Sequence, residues 1–376
     1  MKKTCILLLI LFFQGLQPDI LAQQKADPDF LSGIKKAQNG DYPGAISDFN
    51  KALDKNPDNI DALYNRGMAK RLSEDYQGAV ADFSKAISIN SKFAAIYIER
   101  GRANRKMGNN SAAVSDFDKA LSLDPKNENA YYYRGLSNAE TNKHTQAIAD
   151  FSKLIELNPK DEEAFFLRGK EKLISGDYEG AVLDFTRVNE LKPDERESYY
   201  NRGTAYLNLK KYNEALADFD KAISMNSEDP DGFYNRALVK KNLNDIKGAK
   251  QDYSQTIKIS PTYTNAYVNR GSIYFSENDY TSAVADFNKA ISLNPKIYNS
   301  YYNRGLAKHK LADYSAAVSD FNKCIEMDPS DAEAFMNRAL AYLKLQKKED
   351  ACRDLKKAES MGLKKATEER KKNCGN

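Results

Sequence analysis

The 376-residue chain contains no tryptophan, two histidines and four cysteines. So little imidazole and thiol leaves scant material for a metal centre or a Cys/His catalytic pair. Neither a metal nor another cofactor is expected. There is no glycine-rich phosphate loop and no Gly-x-Ser-x-Gly elbow. A mean hydropathy of −0.69 and 29% charged residues exclude a multi-span membrane protein. An excess of one charge sign is also missing. The net charge is +4, of which residues 1–22 carry +1 and residues 362–376 carry +3, so the stretch between them sums to zero. A neutral body offers no basic stripe to nucleic acid, and no such partner is expected. The basic tail reads as a solvated helix end. The 41% apolar content still supports a folded core.

Met1-Lys2-Lys3, the apolar run Ile6–Phe13, then Gly15, Pro18 and Ile20-Leu21-Ala22 have the form of a secretory signal peptide over 1–22, cleaved near Ala22. The run is far short of the ~20 residues needed to span a bilayer, so the mature form is expected to have no transmembrane span. Cys5 precedes the run instead of ending it, which argues against a lipoprotein. The expectation is an exported protein, periplasmic or secreted, in which disulfides are permitted.

What the chain does have is a period. Arg recurs every 34 residues from Arg66 to Arg338, and Asp with the same period from Asp48 to Asp354. Phe follows each Asp except at Tyr253 and Leu355, and Ala lies three residues before each. Within 298–331, Tyr301, Tyr302, Gly305 and Leu306, then Ala317, Val318, Phe321, Cys324 and Ile325, mark two amphipathic helices either side of Asp313-Tyr314. Prolines such as Pro57, Pro125, Pro295 and Pro329 close the units. Gly67 and its equivalents cost ~1 kcal/mol of helix propensity relative to Ala. The expected return is close approach of the second helix through its Ala, with Phe83 and its counterparts filling the space beside that contact.

The period, with Gly67, Ala79, Phe83, Ala86 and the closing proline, resembles the tetratricopeptide repeat. Ten units tile 26–365 without insertion: 26–59, 60–93, 94–127, 128–161, 162–195, 196–229, 230–263, 264–297, 298–331 and 332–365. A capping helix and tail follow over 363–376. The resemblance implies an all-α, right-handed superhelical solenoid of helix–turn–helix repeats, with first helices lining an inner groove. The chain departs from the family pattern in three ways. Tyr or Phe replaces the usual first-helix Trp (Tyr97, Tyr131, Phe165 and onward). Arg stands for the Leu before Gly. Lys70, Lys172, Lys240 and Lys308 occupy a mid-helix aromatic place. Unit 26–59 lacks the Arg, as an end cap would, and unit 230–263 is irregular.

Arg66 and Asp82 lie equally far from the hairpin turn, as do Arg100 and Asp116, and Arg202 and Asp218. We expect each Asp to bridge the Arg of its own unit and that of the next, an Arg–Asp ladder with bidentate geometry. Cys352 and Cys374 stand either side of Gly362 and are expected to form a disulfide, whereas Cys324 replaces a core Ala as a buried free thiol. By analogy with the family, Tyr64, Ile98, Tyr132, Phe166, Tyr200, Tyr234, Val268, Tyr302 and Met336 face the groove. Asn65, Asn201, Asn235, Asn269, Asn303 and Asn337 follow most of them directly.

Rings give apolar contact and amides pair with a peptide backbone. The expected function is a non-catalytic scaffold binding an extended segment of a protein partner. The alternative is a groove that stacks sugar rings. The family's carboxylate-clamp places hold Tyr, Phe or Leu, so that activity is not carried over. Arg102, Arg105 and Lys106 read as a solvated basic face, His144 as a turn residue, and His309 as a groove or surface residue. Asn109-Asn110-Ser111 is a glycosylation sequon only in a host that performs that chemistry.

Overall fold

The computed structural model describes residues 27–375, so the leader expected over 1–22 lies outside the described residues. The regular structure among them is entirely helical. Two compact bodies meet in sequence at Pro193/Asp194. In the first, α1 (Pro28–Gln38) packs on α2 (Tyr42–Lys55), α3 (Ile60–Leu72) on α4 (Tyr76–Ile89), and α5 (Ala94–Lys106) on α6 (Asn110–Leu123). There α7 (Glu128–Glu140) packs on α8 (His144–Leu157), and α9 (Glu162–Ser175) on α10 (Tyr178–Leu191). The second holds the pairs α11 (Arg196–Asn208) and α12 (Tyr212–Met225), α13 (Pro230–Asn242) and α14 (Ile246–Ile259), and α15 (Thr264–Ser276) and α16 (Tyr280–Leu293). It continues with α17 (Tyr298–Lys310) and α18 (Tyr314–Met327), α19 (Ala332–Lys344) and α20 (Lys348–Ser360), and ends with α21 (Lys364–Cys374).

Each hairpin is punctuated by its own chemistry. Asp41, Asp75, Asp177 and Asp245 cap second helices, their carboxylates accepting from the N–H three residues on at 2.9 Å. The turn just before needs a left-handed residue. Gly40, Gly108 and Gly176 supply it at φ of +81°, +78° and +86°, while Asn142, Asn244 and Asn278 and even Ala312 and Gln346 adopt it elsewhere. At the far end Asn56, Asp124, Asn294 and Asp328 leave the helix in extended backbone just ahead of proline.

The helix-interior glycine has a sharper reason than the one expected from sequence. A Cβ on Gly67 would lie 2.7 Å from Cε1 of Phe83, and one on Gly135 2.7 Å from that of Phe151. The phenyl ring itself lies on the glycine, not beside an alanine contact. Two repeats carry Ala in its place, Ala237 and Ala339, and these are the repeats in which Tyr253 and Leu355 replace Phe.

The two chain ends are finished differently. Asp48, lacking an Arg, accepts from Ser32 at 2.7 Å and pairs with Lys36 at 2.6 Å and Lys51 at 3.1 Å. Lys36, then Ser32 and Lys51, hold it well below the usual carboxylate range. At the other end α21 begins one residue after Leu363, its N-cap, and lays Ala366 against Phe335, Met336 and Leu355. Arg370 donates to Glu359 at 2.7 Å. A disulfide joins Cys352 to Cys374 with 5.7 Å between their Cα atoms. Closing a loop with a sequence separation of 22 stabilises by about 3 kcal/mol on chain-entropy grounds. Reduction is therefore expected to speed hydrogen exchange in α21 while leaving α15 to α18 protected; unchanged α21 protection under reductant would refute this. Cys324 is fully buried, and burial with nearby Asp320 pushes its thiol up to about 12.

Candidate functional site

The Arg–Asp pairs form inside each hairpin. Arg66 donates to Asp82 from Nε at 2.9 Å and Nη2 at 2.5 Å. Arg100 grips Asp116 at 3.1 and 2.6 Å, and Arg202 grips Asp218 at 2.8 Å through both arms. The link to the neighbouring repeat differs from the expected one. Nε and Nη2 grip the carboxylate as a fork, while Nη1 reaches back to the residue two places after the preceding Asp. Arg66 donates to Asn50 at 2.7 Å, Arg100 to Ser84 at 3.0 Å, Arg134 to Asp118 at 2.6 Å, and Arg304 to Asn288 at 2.6 Å. The ladder runs through Nη1, and the Asp does not bridge two repeats. With Asp82, Asp116 and Asp184 at most 4% exposed, these pairs are not the solvated kind worth under ~1 kcal/mol.

Two further contacts complete each Arg. The aromatic three residues earlier lies under the guanidinium, with Arg100 5.6 Å from the Tyr97 ring centre, Arg236 5.2 Å from that of Phe233 and Arg338 5.3 Å from that of Phe335. Four residues later the side chain varies with a purpose. Lys70, Lys172, Lys240 and Lys308 pair with Asp82, Asp184, Asp252 and Asp320 at 2.8–2.9 Å. Asn104 and Asn138 donate to Asp116 and Asp150 at 3.1 Å. Tyr206, Tyr274 and Tyr342 instead flank the Arg. The lysines that looked like departures in sequence are counter-ions, and their i+4 spacing from Arg was the available signal. Asp218, with Tyr206 in place of such a Lys, is pushed above the ordinary carboxylate value by burial despite Arg202.

The positions expected to face the groove separate into two groups. Tyr64, Ile98 and Met336 are buried, Tyr64 among Leu63, Met68 and Ile96, and are corrected to core. Asn65 is buried as well and donates to the carbonyl of Asp61 at 2.8 Å. Tyr132, Phe166, Tyr200, Tyr234, Val268 and Tyr302 are half-buried. The tyrosine hydroxyls are tied to the next repeat. Tyr132 donates to Glu163 at 2.7 Å and Tyr302 to Glu333 at 2.9 Å. Asn235 donates to Tyr200 at 2.7 Å, Asn269 to Tyr234 at 3.1 Å, and Asn337 to Tyr302 at 2.9 Å. Asn201 turns back to the carbonyl of Glu197 at 2.8 Å, and Asn303 makes no side-chain hydrogen bond among the described residues. Burial raises the Tyr200 hydroxyl to about 12, so it stays protonated. Glu163 and Glu333 were not singled out from sequence; their place, 31 residues after a groove Tyr, carries no pattern inside one repeat.

The basic cluster is not a solvated face. Arg102 donates to buried Glu99 at 2.8 Å and lies 4.6 Å from the Tyr133 ring centre, while Arg105 pairs with Glu140. Of the three, Lys106 alone is exposed. His144 opens α8 with Nδ1 2.7 Å from Glu171, and His309 lies against Tyr314, its imidazole lowered by burial. No group of three His, Cys, Asp or Glu among the described residues is placed to hold a metal.

Tetratricopeptide repeat models match residues 60–93, 98–162, 197–229, 230–263, 298–331 and 321–353, and TPR repeat models match 35–71 and 271–311. The chain belongs to the tetratricopeptide repeat family. The C-terminal part of a TPR repeat-containing protein from Cytophaga hutchinsonii superposes with a TM-score of 0.56 at 17% identity, over 64% of this chain and 98% of that one. YrrB, a TPR protein with an unusual peptide-binding site, is 26% identical with a TM-score of 0.45, over 48% of this chain and 92% of its own. A tetratricopeptide repeat protein from Parabacteroides merdae is 22% identical with a TM-score of 0.46, over 62% and 92%. No curated protein matches the sequence. As a tetratricopeptide repeat protein the chain is a scaffold for protein–protein interaction, on a fold that is typically non-catalytic. No helix among the described residues is long and apolar enough to cross a membrane.

Proposed function

We propose that the chain is an exported, non-catalytic adaptor that binds an extended segment of a partner protein along its first helices. The observation that carries this is the set of tyrosine–asparagine bonds. Each fixes a half-buried ring, and each spends only the amide nitrogen. Oδ1 of Asn235 and Asn337 has no donor among the described residues and can accept a backbone N–H. Rings held in advance lose little entropy on binding. The leader over 1–22 and the Cys352–Cys374 disulfide support a periplasmic or secreted location, which N-terminal sequencing of exported protein starting at Gln23 would test.

Peptides selected on the full chain from a random display library are expected to lose about tenfold or more in affinity on Tyr200→Ala or Tyr234→Ala. They should be indifferent to Leu183→Ser on the second helix α10, where Leu183 is 71% exposed. Equal loss from all three changes would refute the groove. Failure to select peptides, together with glycan binding lost on Tyr200→Ala, would favour the sugar-stacking alternative.

A further inference from the structure

Six first helices carry Asn directly after the position expected to face the groove, and five of the six amides donate within the protein. Asn235, Asn269 and Asn337 donate to Tyr200, Tyr234 and Tyr302, each 35 residues earlier. Asn65 and Asn201, with Phe30 and Phe166 at that earlier place in sequence, turn back to carbonyls of their own helix. Asn303 does neither. It is half-buried, and the residue 35 before it is Val268, which has neither ring nor hydroxyl.

By position in the repeat, Asn303 stands where an amide holds a seated phenol elsewhere in the same body. Tyr302 accepts from Asn337 and donates to Glu333. One period earlier the corresponding residues are Asn303 and Asn299. Where Glu197, Asp231 and Glu333 bring charge to this place in other repeats, Asn265 and Asn299 are neutral. By this correspondence the stretch pairs a neutral amide donor and acceptor with an aliphatic residue, which suits an uncharged phenol better than an ammonium or a carboxylate.

We propose that Val268, Asn299 and Asn303 form a subsite for a tyrosine side chain of the bound partner. The ring lies on Val268, and the hydroxyl accepts from Asn303 Nδ2 and donates to Asn299 Oδ1. This rests on the reading that first helices of the second body bind a partner protein, and it names one residue type that partner must present. Seating the phenol also gives a half-buried amide the side-chain partner it lacks among the described residues.

The probe is p-cresol, the tyrosine side chain alone, titrated into the full chain carrying isotope-labelled asparagine. The Asn303 side-chain amide resonances are expected to shift at millimolar probe, with toluene weaker by about tenfold because it lacks the hydroxyl. Val268→Tyr supplies the phenol from within, so it should raise Tm and abolish the p-cresol response. Asn303→Ala should abolish the preference for p-cresol over toluene. The subsite is overturned by an unmoved Asn303 amide, by a response that survives Val268→Tyr, or by toluene equalling p-cresol. Display-selected peptides that need Tyr200 but lack an essential tyrosine would remove this subsite while leaving the groove in place.

Discussion

Asp184→Ala is expected to destabilise the first body by about 3–5 kcal/mol, the usual cost of removing one partner from a buried ion pair. Asp184 is 2% exposed and accepts from Arg168 at 2.9 and 2.6 Å while pairing with Lys172 at 2.9 Å. The change leaves two cations, each under one-fifth exposed, with no carboxylate between them. Asp184→Lys should be worse, since it adds a third. Asp118→Ala is the contrast: Asp118 meets Arg134 at 2.6 Å but is 57% exposed, so its loss should cost under ~1 kcal/mol. Stacked hairpins need not melt in one step, so hydrogen exchange in α9 and α10 should accompany the urea curves. Equal, small effects at 184 and 118 would show that burial does not set the worth of these pairs.

The second large effect concerns glycine. Gly67→Ala gains ~1 kcal/mol of helix propensity, yet its Cβ would sit 2.7 Å from a Phe83 ring that is fully buried. Overpacking of this kind costs about 1–3 kcal/mol, so the variant should be destabilised. At Gly203 the nearest ring atom is 3.2 Å away, and the same change should be close to neutral. Combining Gly67→Ala with Phe83→Leu reproduces the pair at Ala339 and Leu355, so the double variant should recover part of the loss. A coupling below about 0.5 kcal/mol in that cycle would mean the ring does not require the glycine.

Much of the fold was legible because its rules act within one repeat. The 34-residue period, the helix ends at Asp75 and Pro57 and the pairing of Arg66 with Asp82 each involve residues at fixed separations in a single hairpin. Reading failed where two repeats meet. Tyr64 and Tyr200 hold the same place in their helices, but Tyr64 is buried, whereas Tyr200 stays half-open with Asn235 bonded to its hydroxyl. Core stripe and binding stripe use the same residue types at the same helical spacing, so one repeat alone cannot separate them. The expected bridging by Asp failed for a related reason. Two arms of the guanidinium hold the carboxylate of their own hairpin, and the third reaches the neighbouring one.

That third arm has a consequence for how such a chain lengthens. It donates to Asn50, Ser84, Asp118 or Asn322, requiring only an oxygen in the right place. Each Arg keeps its demanding partnership within its own hairpin and presents the neighbour with an undemanding one. A duplicated segment would arrive with its ion pair already complete and offer this arm any neighbouring oxygen, so on this count the array can grow or shrink by whole hairpins while the specialised ends stay unchanged.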